Sequence, residues 1–207
     1  MAQFYDKIYE NVEQPFGKPE KELKKIWRQV GTKELMVLDL GCGDGRHTIF
    51  LASKNNKVFA VDKSAVGLDK IRKALKNKPY KKNVCLIKAD LKKFTPDESF
   101  DLVVCTSTLH EIGAKSAKRI IERAKASTKP GGIHYLTFFL PKKGTLMKKG
   151  CYYPKETTLI KQFYSGWETL KEKKETITHS HLIKKHKHFV CHLILKKPTK
   201  SDIQNNK

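Results

Sequence analysis

The chain has 207 residues, enough for one α/β domain with a buried core, and its 39% apolar content falls in periodic blocks, which argues against a disordered chain. No apolar run reaches the about 18 residues of a membrane span, and five scattered cysteines with no CxxC pair argue against a disulfide framework and a cysteine zinc site. The formal net charge of +22 raises an anionic partner, but only five of the 43 cationic residues are arginines, and the dispersed lysines read as solvated helix faces.

The opening "MAQFYDKIYE" has no apolar signal core, which predicts a cytoplasmic protein. Residues 19–30 place Leu23, Ile26, Trp27 and Val30 on one helical stripe that Gly31 ends. A buried strand is predicted over 35–40, a helix over 45–54 and a second strand, "KVFAVD", over 57–62. Ser64 is placed to cap a helix through Leu68, Ile71 and Leu75 that stops near Pro79. Strands follow over 84–90 and 100–108, then a helix over about 114–127, a turn at "KPGG" (129–132) and a fifth strand over 133–140. Such alternation calls for a parallel sheet covered on both faces.

The end of the chain departs from that rhythm. After a short helix over 156–164, "KETITHSHL" and "HKHFVCHLIL" are two β-rich runs, read as an antiparallel hairpin on the sheet edge. The fold class is therefore α/β: a doubly wound, Rossmann-like, seven-stranded sheet, mostly parallel with a C-terminal antiparallel hairpin. Residues 1–197 form one domain whose first 31 residues are a helical cap. The polar tail from Pro198 is predicted to be disordered.

The stretch "VLDLGCGDGR" carries Gly41, Gly43 and Gly45 between a strand and a helix. Glycines serve where backbone turns sharply and approaches a ligand with no Cβ in the way. A dinucleotide loop would read GxGxxG, whereas here the third glycine comes one position early and Arg46 follows it. Asp62 ends the second strand, where a carboxylate accepts both ribose hydroxyls of a nucleoside, and Asp90 ends the third. A nucleoside without phosphates, with a short polar tail packed on glycines, describes S-adenosylmethionine.

"VLDLGCGDGR", "VFAVDKS", "KAD", "FDLVVCTSTLHEI" and "KPGG" resemble the ordered motifs of class I S-adenosylmethionine-dependent methyltransferases over residues 36 to 141. Arg46, "STKPGG" and "YYPKETTLIKQFYSGWETLKEKKE" extend the resemblance to the tellurite-resistance, TehB-type members of that family. The resemblance implies that Asp39, Gly41 and Gly43 hold the amino-acid end of the cofactor and Asp62 its ribose. It also implies that Lys63, Asp90 and Leu91 flank the adenine, that Thr106 meets the methionine portion, and that Tyr5 and Tyr9 belong to a segment closing over the site. Cys42 and Arg46 complete the loop, Cys42 as a small filler. Two alternatives stay open on the residues alone: Asp39 as a cap of the next turn, and Tyr5 and Tyr9 as a stripe packed on the core.

Methyl transfer needs alignment and water exclusion, and a base only when the acceptor carries a proton. His110 follows the fourth strand, where the acceptor should lie; its other reading is a brace for the loop. His179, His181, His186, His188 and His192 cluster in the hairpin, with His186, His188, Val190 and His192 on one strand face. A metal site is the lesser reading of that face, because no acid or cysteine completes it; a polar outer face is the other. The tellurite-resistance family carries a His-Arg pair near the start of this hairpin, and this chain places His179 there, followed by Ser180, with Lys184 or Lys185 as cationic substitutes. No Pro-Pro-aromatic or Pro-Cys motif of nucleobase methyltransferases follows the fourth strand. The expected acceptor is a small soft nucleophile, a thiol, selenium or tellurium species, drawn in by Arg46, the hairpin lysines and protonated His179. The rival readings are an RNA or protein methyltransferase and a cofactor-binding protein without methyl transfer.

Overall fold

A computed structural model describes residues 2–30, 34–179 and 185–204. Gly31, Ser180, His181 and Lys184 lie outside the described residues, as does the side chain of His179. In chain order the elements are helices α1 (Ala2–Asn11) and α2 (Lys21–Val30), strand β1 (Met36–Leu40), α3 (Arg46–Ala52), β2 (Lys57–Asp62), α4 (Ala65–Ala74), β3 (Val84–Lys88) and β4 (Phe100–Thr106). Then come α5 (Leu109–Ile112), α6 (Ala114–Ala126), β5 (Thr128–Leu140), α7 (Thr158–Lys161), β6 (Glu168–His179), β7 (His186–Lys196) and α8 (Lys200–Gln204).

The seven strands form one sheet in the order β3-β2-β1-β4-β5-β7-β6. The first five run parallel, β7 lies antiparallel to β5, and β6 closes the edge antiparallel to β7. Alternating side chains cover both faces. Leu38, Val103, Leu136 and Phe138 pack on Ile120 and Ile121 of α6, while Val37, Leu102 and Val104 pack on Leu23 and Ile26 of α2 and Leu51 of α3. The strand order reverses between β1 and β4, so the loops after these two strands diverge and leave a crevice at their C-terminal ends.

Three local expectations change. "KPGG" is not a free turn: residues 129–132 lie inside β5, where the register slips from Phe100↔Thr128 to Leu102↔Ile133. The Gly131 amide donates to the Lys197 carbonyl at 3.0 Å and the Lys197 amide to Gly132 at 2.9 Å, so the bulge is held by the end of β7. The outer hairpin strand begins at Glu168 rather than near Lys174, and its alternation of lysine and glutamate suits an edge that must not pair further. The tail is not structureless as far as residue 204: the Thr199 amide donates to the Asp202 carboxylate at 2.8 Å and the Asp202 amide to the Thr199 hydroxyl at 3.3 Å, a reciprocal cap that starts α8.

Ser64 caps α4 as expected, its hydroxyl oxygen accepting from the Gly67 amide at 2.9 Å. The same hydroxyl donates to Asp6 of α1. Ser64→Ala is expected to lower stability by about 1 kcal/mol in urea unfolding; an unchanged midpoint would mean that the cap and the Asp6 contact contribute nothing.

Candidate active site

A cavity opens at the crevice, walled by the loop after β1, the ends of β2 to β5, α1 and the start of β7. Its floor is the glycine loop. The Gly41 and Cys42 amides both donate to the Val61 carbonyl, at 2.8 and 3.1 Å, which folds the loop back over β2. Asp62 then secures it: one carboxylate oxygen accepts from the Gly43 amide at 2.8 Å, the other from the Ser64 amide at 2.8 Å. Each oxygen keeps a second lone pair, so the group retains capacity for two further donors.

The glycines are explained by protein neighbours as well as by a ligand. Gly43 has φ +55°, and a Cβ there would lie 2.6 Å from the Tyr9 hydroxyl. Gly45 has φ +85°, and a Cβ there would lie 2.4 Å from Ile71 of α4. The loop is thus clamped between the two helices. Tyr9 is buried, which raises the proton affinity of its hydroxyl, and the Asp62 and Asp44 charges raise it further. Lys70 of α4 donates to the Tyr9 and Val12 carbonyls at the end of α1 and fixes that helix over the loop. Tyr5 and Tyr9 sit on one helical stripe, and both line the cavity.

Gly41, Cys42, Gly43, Arg46, Asp62, Lys63, Asp90, Leu91 and Thr106 also line it. Asp90 is held in its turn by the Lys92 amide at 2.9 Å. Two expected roles change. Asp39 does not line the cavity; it shares the face of Val37, points at α3 and accepts from the Thr48 hydroxyl at 2.6 Å, so it braces the loop from behind. Arg46 lines the cavity, but its guanidinium donates to the Phe16 carbonyl at 2.9 Å and to Glu20 at 2.7 Å. Its charge is neutralised there, and it anchors the N-terminal segment rather than attracting an anion.

Behind it runs a buried polar chain. Glu20 accepts from the Tyr135 hydroxyl, which meets His192 Nδ1 at 2.8 Å, while His192 Nε2 lies 3.0 Å from Glu175. His192 is therefore a bracing residue of the sheet. His188 is buried too, stacked on Phe139 at 4.2 Å between ring centroids. The histidines do share one face, but at positions 188 and 192 it is an inner face, because loop 141–156 and the N-terminal segment cover it. Thr106 pairs with His47 Nδ1 at 3.2 Å, and burial lowers the proton affinity of His47 well below the ordinary histidine range.

At the far end of the cavity stands His110, 4% exposed, its ring stacked near Tyr153 and tilted against Phe139. Glu111 lies beside it, accepting from the Tyr5 hydroxyl at 2.9 Å and lying 3.8 Å from Lys148. Burial pushes the Glu111 carboxyl up, but the hydrogen bond and charge of His110, the Tyr5 hydroxyl and Lys148 outweigh it and hold the group at about 2. Glu111, Lys148 and Tyr153 carried no signal in the sequence: a glutamate in "LHEI" and a lysine and a tyrosine in a loop are ordinary surface residues until the loop folds over the sheet. Ser107 is the one non-glycine cavity residue with positive φ among the described residues, +51°, held by the Thr137 hydroxyl and carbonyl. His179 stands opposite His186 in the hairpin register.

Residues 37–132 match a family described as methyltransferase domain. This stretch, from β1 to the bulge of β5, is thus similar to methyltransferase domains. Among curated relatives it is similar to the cypemycin N-terminal methyltransferase of a Streptomyces species, 31% identical over 48% of this chain and 40% of that one. It is also similar to the tRNA 5-carboxymethoxyuridine methyltransferase of Escherichia coli O157:H7, 22% identical over 83% of this chain and 74% of that one. Against most of the curated relatives it matches, the chain spans less than half their length. Among solved structures, TehB from Haemophilus influenzae superposes with a TM-score of 0.74 at 19% identity, over 86% of this chain and 62% of that one. No helix among the described residues is long and apolar enough to cross a membrane.

Proposed function

We propose that the chain is a methyltransferase that binds S-adenosylmethionine over the glycine loop and passes its methyl group, by in-line attack, to a small soft nucleophile in the His110 end of the same cavity. The observation that carries the reading is the Asp62 carboxylate: it is already fixed by two backbone amides, keeps one acceptor site on each oxygen, and lies at the mouth of a loop lined by Gly41 and Gly43. Two vicinal hydroxyls of a ribose match that geometry. A small acceptor is supported by the walls, since α1 and the loop carrying Leu146 and Lys148 cover the cavity. Desolvation of that kind favours a methyl transfer by alignment and water exclusion. The chemistry of the acceptor is taken from the TehB-type resemblance.

A second reading, an RNA substrate, is favoured by the net charge of +22 and by the likeness to a tRNA methyltransferase. Transfer from methyl-labelled cofactor, offered small thiols, selenite, tellurite, total RNA and total protein, separates the two. Label is expected in a small methylated product. Label confined to RNA that persists at physiological salt would establish the second reading instead. Cofactor binding with no labelled product would indicate a binding protein without methyl transfer.

A further inference from the structure

The acceptor end of the cavity holds an ordered acid–histidine pair. Glu111 Oε1 lies 3.3 Å from His110 Nε2. An ionised carboxylate only accepts hydrogen bonds, so Nε2 carries the proton and the lone pair of the neutral ring resides on Nδ1. His110 Nδ1 is buried and has no hydrogen-bond partner among the described residues, and the same is true of Glu111 Oε2. The ring cannot swing freely, because Phe139 lies 4.5 Å and Tyr153 5.9 Å from its centroid. The Tyr5 hydroxyl of α1 donates to the same Glu111 oxygen at 2.9 Å.

We infer that His110 is a general base, positioned by Glu111, and that the acceptor is a neutral molecule whose nucleophilic atom carries a proton, not an oxyanion. The inference rests on the methyl-transfer reading above and narrows its acceptor. A buried acceptor atom with no donor beside it has to meet a donor in the ligand, and a thiol or selenol supplies one. An anion would instead face the Glu111 carboxylate at close range. Around the pair stand Tyr5 from α1, Lys148, Cys151 and Tyr153 from the covering loop, and His186 and His188 from β7. Among the described residues, Lys148 is the cation nearest the carboxylate, and its Nζ is buried without a hydrogen-bond partner; it lies 3.8 Å from Glu111 Oε1 and 4.3 Å from the centroid of the Phe4 ring, so the charge of the carboxylate is already matched there and a neutral acceptor keeps that balance.

The acceptor X–H gives its proton to His110 Nδ1 as X attacks the methyl carbon. The X–CH3 bond forms, the sulfonium S–CH3 bond breaks, and its electron pair stays on sulfur to give the neutral thioether. The imidazolium that results is stabilised by Glu111, as in other acid–histidine arrangements.

The test compares two thiols with labelled cofactor at neutral pH: an alkyl thiol, which is protonated, and an aryl thiol, which is already ionised. His110→Ala is expected to lower kcat for the alkyl thiol a hundredfold or more and for the aryl thiol less than tenfold. Glu111→Gln is expected to lower kcat for the alkyl thiol about tenfold and to move the acid limb of its pH profile to lower pH, since the imidazolium loses its carboxylate. Affinity for S-adenosylmethionine, measured by calorimetry, should stay within threefold in both variants and reports that they are folded. Equal losses on both thiols, an unmoved acid limb, or selenite or tellurite used in preference to the alkyl thiol would overturn the proposal while leaving methyl transfer intact. A wild-type enzyme that binds the cofactor but labels none of the small acceptors, selenite and tellurite included, would overturn the parent reading and the proposal together.

Discussion

Asp62→Ala is expected to weaken S-adenosylmethionine binding by about 3 kcal/mol, on the order of a hundredfold. The carboxylate offers charge-assisted acceptors to two ribose hydroxyls, each such bond contributing about 1.5–3 kcal/mol. It also organises the receptor, because the Gly43 and Ser64 amides lose their common partner when it goes. The loss therefore has two sources, and they separate experimentally. Asp62→Asn keeps one carbonyl acceptor and should fall between alanine and wild type. Calorimetry with S-adenosylmethionine and its demethylated product reads both, and equal affinities in wild type and Asp62→Ala would remove the ribose assignment.

The second large effect concerns stability and comes from a residue that the sequence marked for the ligand. Burial is the main reason that the Asp39 carboxyl is pushed up to about 6, with the Asp62 charge adding and the Thr48 hydrogen bond and Arg46 opposing. In the unfolded chain this group titrates near its ordinary value of 3.8. Between pH about 4 and 6 the native state thus holds more protons than the unfolded state. The Asp39 contribution is fully present below that window, falls as pH rises through it, and stays lost above it. A displacement of about two pH units corresponds to about 3 kcal/mol at neutral pH. Asp39→Asn keeps an acceptor for Thr48 without a charge. It is expected to raise stability at neutral pH by about 2–3 kcal/mol and to flatten the pH dependence of the urea midpoint between 4 and 6. A variant less stable than wild type at neutral pH, or as steep between pH 4 and 6, would show that the buried charge is compensated.

The acceptor pair sets a different condition. Against its burial, Glu111 is held far below the ordinary carboxylate range by the hydrogen bond and charge of His110, the Tyr5 hydroxyl and Lys148, so it is ionised at neutral pH. The charge that fixes the His110 tautomer is therefore present at the pH of the assay.

The sequence by itself determined the parallel core, the glycine loop with the acids at the strand ends, and the edge hairpin. Each is written in local pattern: apolar runs of strand length at 36–40, 57–62 and 100–106, glycines at strand-to-helix turns, acids at strand ends, and a serine at the start of α4. Periodicity and turn chemistry act over a few residues, so a linear reading finds them. Only the tertiary structure decided what Asp39, Arg46 and His192 do. Their roles depend on Thr48, on Phe16 and Glu20, and on Tyr135 and Glu175, partners that lie up to 57 residues away. It also decided that "KPGG" is a bulge, because the end of β7 pairs with it. The acceptor end was least legible: Tyr5, His110, Glu111, Lys148 and Tyr153 meet only when α1 and the loop after β5 fold onto the strand ends. A carboxylate accepting bonds from 106 residues away leaves no local trace, because its effect arises from the desolvated space that those segments enclose together.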